Sequence, residues 1–110
     1  MLVISRFRED DGVPADRPEG DLRAALEETL EVLAAQRGFQ DGRIGRNVDD
    51  PQLWVLETVW DGPGAYRRAL SAYDVKVRAW ATLGRAVDEP SAYEVLESGA
   101  EQNRSLPRGS

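Results

Sequence analysis

The chemistry open to this chain is bounded first by two residue types that it lacks. The 110-residue sequence contains no cysteine and no histidine. Without thiols there can be no disulfide, thiolate metal site, iron–sulfur cluster or cysteine nucleophile. Without imidazole the commonest general base, metal ligand and axial haem ligand are gone, which sets aside triad hydrolases and histidine-ligated metalloenzymes. Any chemistry must use Asp, Glu, Tyr, Arg, Ser, Asn or Trp. The acids Glu9, Asp10, Asp11 and Asp16 lack the ligand spacing of an EF-hand and read as a solvated loop. No Gly-rich phosphate loop opens a helix after a strand. The expectation is a protein with no metal, haem or flavin. The aromatic residues Trp54, Trp60, Tyr66, Tyr73 and Trp80 fall in one stretch of chain, and at strand or helix spacing such a set usually packs a core.

The formal net charge of -6 and pI near 4.6 would repel phosphates, and no Lys/Arg stripe offsets this locally, so nucleic acid is not an expected partner. The hydrophobic fraction of 41% suits a folded chain, yet no apolar run approaches the ~18 residues of a membrane span. The N-terminus, Met1-Leu2-Val3-Ile4-Ser5-Arg6, becomes charged too soon for a secretory signal. A soluble, cytoplasmic protein is expected. Lys76 is the only lysine beside thirteen arginines, which with the many Ala and Gly residues suggests a GC-rich bacterial source.

The elements that must position these side chains can be read along the chain. Leu2–Arg8 alternates Val3, Ser5 and Phe7 against Leu2, Ile4 and Arg6, as in a strand covered at its start on both sides. Glu9–Gly20, with Gly12, Pro14 and Pro18, reads as a loop. From Asp21 a helical stripe of Leu22, Ala25, Leu26, Leu30, Leu33 and Ala34 follows, with Asp16 or Asp21 as cap and Gly38 as stop. Phe39–Asn47 is a weaker strand whose Gly42 and Gly45 mark either a bulge or a close backbone approach. After the turn Asp49-Asp50-Pro51, Leu53–Trp60 is apolar on both faces: Trp54, Leu56, Thr58 and Trp60 on one, Leu53, Val55 and Val59 with Glu57 on the other. Asp61-Gly62-Pro63-Gly64 then starts a second helix, in one piece or two, with a core stripe of Tyr66, Ala69, Leu70, Tyr73, Val77, Trp80 and Ala81 ending near Gly84. Pro90 precedes a last strand, Ser91–Glu97. Residues 98–110 are polar and read as a flexible tail, its closing Leu-Pro-Arg-Gly-Ser resembling a protease-site remnant.

The order strand, helix, strand, strand, helix, strand predicts one α+β domain over residues 1–97, a ferredoxin-like split βαβ fold with a four-stranded antiparallel sheet. Both helices lie on one face in that fold. Because the third strand is apolar on both sides, the face carrying Leu53, Val55 and Val59 needs another cover, and a second copy packed sheet to sheet would supply it.

The segment Val55-Leu56-Glu57-Thr58-Val59-Trp60-Asp61-Gly62-Pro63-Gly64-Ala65-Tyr66 resembles the strand-three to helix-two region of the antibiotic biosynthesis monooxygenase-like family, dimeric α/β-barrel proteins in which a strand ends in Trp and an aromatic follows in the next helix. The resemblance implies a ligand pocket between sheet and helices in each subunit. Trp60 would line it and Tyr66 face it, as catalytic candidates, with Trp54, Tyr73 and Trp80 as walls; read from the residues alone, all five are core. Members that oxidise polycyclic phenols without metal or flavin let the substrate anion reduce oxygen while Asn, Trp, Tyr and Arg side chains orient it. The family's Asn stands four residues before the Trp on the same strand face, where this chain has Leu56. Asn47 or Arg78 could stand in for it in binding the substrate, since an amide or guanidinium can stabilise a phenolate; from the residues alone both read as turn or surface groups. Haem-degrading relatives use a histidine ligand and a strand-one Asn. This chain has no histidine and offers Ser5 and Arg6, which excludes that activity. Two expectations follow from the resemblance: a cofactor-independent monooxygenase acting with O2 on an aromatic or polyketide-like small molecule, or a non-catalytic small-ligand-binding homodimer of the same fold.

Overall fold

Leu53–Trp60, strand β3, organises the sheet. The computed structural model describes residues 1–9 and 20–96, and the remaining elements are β1 (Leu2–Arg8), α1 (Gly20–Ala34), β2 (Phe39–Arg46), α2 (Pro63–Ser71), α3 (Tyr73–Arg78), α4 (Trp80–Leu83) and β4 (Ala92–Tyr93). Strand β3 pairs antiparallel with β2 on one side and β1 on the other, and β1 pairs with β4, giving the order β2-β3-β1-β4. This is the α+β ferredoxin-like fold that the element order predicts. Asp10, Asp11 and Asp16 of the acidic loop and the tail 98–110 lie outside the described residues.

Burial follows the strand alternation. Val3, Ser5 and Phe7 of β1 and Trp54, Leu56, Thr58 and Trp60 of β3 are buried, and their neighbours on the opposite face are half-buried. Helix α1 contributes Leu22, Leu26, Val32 and Leu33 to the core, together with Thr29. Ala34, expected on that stripe, is exposed, and Val32 takes its place because it lies closer to the Leu22–Leu26–Leu33 face. On β2, the irregularity falls between Phe39 and Asp41 rather than at a glycine. Gly42 instead allows a close approach: a Cβ there would stand 2.6 Å from Leu30 Cδ1.

The larger departure is in the second helical region. It is broken at Ala72, which is extended (φ -68, ψ 141), and again at Ala79. Each restart resets the helical phase, so Ala65, Ala69, Val75, Ala79 and Thr82 face the core. Tyr73 and Trp80, expected inside, are 78% and 50% exposed, and Val77 is exposed as well. Three of the five inward residues are alanine, so these helices can sit close to their neighbours. The last strand is also shorter than Ser91–Glu97: only Ala92 and Tyr93 pair, although Ile4 N–H donates to Ser91 O upstream.

Gly38 connects α1 to the rest. Its φ is +90°, its carbonyl accepts from Asp61 N–H at 2.8 Å, and a Cβ would stand 2.5 Å from Ala65 Cβ. Backbone strain and overlap therefore act together, and Gly38→Ala is expected to lower stability by about 2–4 kcal/mol in urea unfolding. Gly64, inside α2 with only the mobile end of Arg68 near its missing Cβ, is the contrast: Gly64→Ala should leave stability unchanged or raise it by about 0.5 kcal/mol.

Candidate functional site

Trp60 closes β3, its backbone N–H donating to Met1 O at 2.8 Å, and its side chain points to the helix-covered face, 1% exposed. The indole N–H is spent locally: Nε1 donates to Thr58 Oγ1, two residues back on the same face, at 2.8 Å. Phe39 of β2 meets the Trp60 ring edge-on, with centroids 5.3 Å apart and planes at 88°. The chain then turns through Asp61-Gly62, Pro63 starts α2, and Tyr66 N–H donates back to Gly62 O, which sets Tyr66 over Trp60 at 5.4 Å and 53°. The Tyr66 hydroxyl has no hydrogen-bond partner among the described residues. Burial pushes its pKa above the ordinary phenol value, so at neutral pH it is a protonated donor. Leu56, at the position where the resemblance would place an amide, is a buried core residue.

The other sequence candidates are not brought to this cluster. Trp54 lies at the far end of β3, about 20 Å along the strand; it is buried, donates from Nε1 to Glu9 Oε1 at 3.0 Å, and carries the Arg46 guanidinium 4.3 Å above its ring. Tyr73 is on the outer surface of α3. Trp80 is also outside, where its Nε1 donates to Leu70 O at 2.9 Å and so satisfies a carbonyl near the α2 terminus. Asn47 shapes the hairpin: its Oδ1 accepts from the N–H groups of Asp49 and Asp50 at 2.9 and 2.8 Å. Arg78 ties α3 to α1 through Glu28 at 3.1 Å and Glu31 at 2.8 Å on the surface. Asn47 thus serves the hairpin through its Oδ1, and Arg78 serves the α1–α3 surface through its Nε and Nη2.

Among the described residues no three acids gather where a metal ion could be held, and no helix is long and apolar enough to cross a membrane. Three hollows lie among the described residues. One of about 590 Å³ is between the start of α2 and the chain around β4, bordered by Asp61, Pro63, Arg67 and Tyr93; one of about 320 Å³ and one of about 140 Å³ both border Trp54, the smaller also bordering Asn47. None of the three is bordered by Trp60 or Tyr66.

Sequence reasoning missed Phe39, Thr58 and Arg85 as site residues. Thr58 had a legible signal, a hydroxyl in the middle of an otherwise apolar strand face; Phe39 had none beyond its place in a weak strand. Arg85 follows Gly84 outside any periodic pattern, yet its Nε and Nη2 are buried and unpartnered.

No protein-family model matches the sequence, and no curated protein matches it. Solved structures do. SnoaB from Streptomyces nogalater, named a cofactor-independent oxygenase, is 25% identical, with 88% of this chain and 96% of that chain aligned at a TM-score of 0.64. A Deinococcus radiodurans protein provisionally named an antibiotic biosynthesis monooxygenase aligns over 89% and 95% at 18% identity and a TM-score of 0.66. Rv0793 from Mycobacterium tuberculosis aligns over 88% and 95% at 20% identity and a TM-score of 0.63.

The Thr58–Trp60 bond is open to a direct test. Thr58→Val keeps the side-chain shape but strands a buried indole N–H, and should lower stability by about 1–3 kcal/mol. Thr82→Val, at a hydroxyl with no partner among the described residues, should change it by about 0.5 kcal/mol or less. Thermal unfolding of the two variants side by side reads the difference.

Proposed function

From the antibiotic biosynthesis monooxygenase-like fold that this chain shares with those proteins, we propose that it is a cofactor-independent monooxygenase of an aromatic or polyketide-like small molecule, working as a homodimer. The observation that carries the reading is the Trp60–Tyr66 pair, set over the covered face of the sheet with the Tyr66 hydroxyl free to donate. In the reaction a phenolate reduces dioxygen directly. One oxygen atom enters the ring, the phenol becomes a quinone, and the second oxygen leaves as water with the two hydrogens the ring system gives up. Trp60, itself enclosed, backs the Tyr66 ring from the sheet side and holds it in place. Tyr66 donates a hydrogen bond to the phenolic oxygen, and its burial strengthens that bond by excluding water.

A second reading is supported by two specific observations. The Trp60 N–H is already committed to Thr58, and Leu56 occupies the place where an amide would be needed. Both favour a ligand-binding dimer that does no chemistry.

The homodimer is supported by the face of the sheet that the helices leave open. Leu2, Ile4, Leu53, Val55 and Val59 form its apolar centre, each only half-buried. The charges among them are neutralised within the subunit, Arg6 by Glu89 at 2.6 Å and Arg43 by Glu57 at 3.2 Å, and Arg6 holds the Glu89 carboxyl below its usual pKa. Such a face can be covered without burying an unpaired charge.

Two measurements test the proposal. Wild type is expected to consume oxygen with at least one member of a phenolic substrate panel, and Tyr66→Phe to slow that uptake about ten-fold or more while changing stability by about 1 kcal/mol or less. Equal rates would remove Tyr66 from the mechanism, and no uptake with any member would favour the binding reading. Light scattering should show a dimer at micromolar concentration that Val55→Asp dissociates; a monomeric wild type, or a variant still dimeric, would refute this interface.

A further inference from the structure

The outer surface of the second helical region carries three large side chains that the core does not use. Tyr73 and Val77, one turn apart on α3, and Trp80 at the start of α4 are each at least half exposed. Their spacing of four and then three residues is the anchor pattern of a helix that packs against a partner. Trp80 is already held in place: its indole N–H is bound to Leu70 O, and Lys76 Nζ stands 5.5 Å from the centre of its ring. A ring fixed beforehand loses little freedom on binding, and exposed Trp and Tyr are the side chains that most often anchor protein interfaces.

The charge around this ridge is opposite to that of the whole chain. Residues 63–83 hold Arg67, Arg68, Lys76 and Arg78 against one acid, Asp74, in a protein of formal net charge -6. Arg78 is bound to Glu28 and Glu31 of α1, whereas Arg67, Arg68 and Lys76 are exposed and meet no carboxylate among the described residues. At about 100° per helical residue, Lys76 falls on one side of the Tyr73–Val77 line and Asp74 and Arg78 on the other. The ridge thus has an unpaired cation on the Lys76 side and carboxylates, Asp74, Glu28 and Glu31, on the α1 side. A flat anionic surface such as a bilayer would press on both sides and meet those carboxylates. A single helix, about 10 Å wide, can follow the cationic side alone.

We propose that the Tyr73–Val77–Trp80 ridge is a docking surface for an acidic amphipathic helix of a partner protein. The partner's apolar stripe covers the ridge, its carboxylates pair with Lys76, and the unpaired charge of Arg67 and Arg68 on α2 adds to the attraction. This surface and the Trp60–Tyr66 pair lie on opposite sides of the helices, so the docking is independent of the oxygenase reading.

The test uses the full chain and two synthetic peptides of about 18 residues, long enough to hold a helix. Both carry leucine at i, i+3, i+4 and i+7; one is flanked by Glu, the other by Lys. Trp80 is the reporter, because Trp54 and Trp60 are buried. Its emission should shift to the blue as the Glu peptide binds, with an affinity that falls several-fold as salt is raised, and the Lys peptide should bind about ten-fold more weakly or less. Val77→Gln and Tyr73→Gln, which remove an exposed anchor without changing charge, should each weaken the Glu peptide about ten-fold at unchanged Tm. Lys76→Glu should abolish the preference for the Glu peptide. Equal binding of the two peptides, no shift with either, or wild-type affinity in both Gln variants would overturn the proposal. Vesicles of phosphatidylglycerol should leave Trp80 emission unchanged; a shift with them would make the occupant a bilayer and overturn it. So would light scattering that shows wild type larger than a dimer and Val77→Gln reduced to one, since the occupant would then be a second copy of this chain.

Discussion

The two-sided apolar character of β3 is the constraint on which the rest of the structure depends. Its even-numbered residues Trp54, Leu56, Thr58 and Trp60 are sealed beneath the helices, and its odd-numbered residues Leu53, Val55 and Val59 are left on the open face. A central strand of this kind must be paired on both edges and covered on both faces, because each unpaired backbone group or bare apolar side chain would oppose folding. Strands β2 and β1 satisfy the edges, and α1 to α4 cover one face. The other face keeps its charges in internal pairs, which lets it be buried without isolating an ion.

The same constraint shapes the candidate site. Polar side chains around the covered face are met in three different ways. The Trp60 indole and Thr58 satisfy each other within one strand. The Tyr66 hydroxyl is left free, and burial keeps it protonated. The Arg85 edge is enclosed with nothing to bond. The first stabilises the fold by satisfying a buried donor within a single strand.

The broken second helical region serves the core in a different way from its aromatic content. Small residues, Ala65, Ala69 and Ala79, approach the interior, and Tyr73, Val77 and Trp80 are turned outward. Trp80 then supports the break, because its indole N–H takes a carbonyl that the interrupted helix would leave bare. The aromatic stripe is thus divided: Trp60 and Tyr66 share one contact, while Tyr73 and Trp80 stand on the opposite side of the helices.

What the sequence determined by itself was the alternation of β1 and β3, the extent of β1 and β3, the order of the elements and therefore the sheet topology, since period-two patterns and turn residues such as Asp49-Asp50-Pro51 act locally. The approach of Trp60 and Tyr66 was also legible, because the intervening turn holds them close in sequence as well as in space. Tertiary structure decided the phase of the second helical region, where the extended Ala72 and the restart at Ala79 override the continuous stripe that a single helix would have presented. It decided that Asn47 and Arg78 are engaged elsewhere, since their partners Asp49, Asp50, Glu28 and Glu31 are fixed by folded geometry. It also decided the state of Arg85: whether a cation finds an acceptor depends on which residues the fold brings within about 3 Å, and periodicity carries no information about that distance.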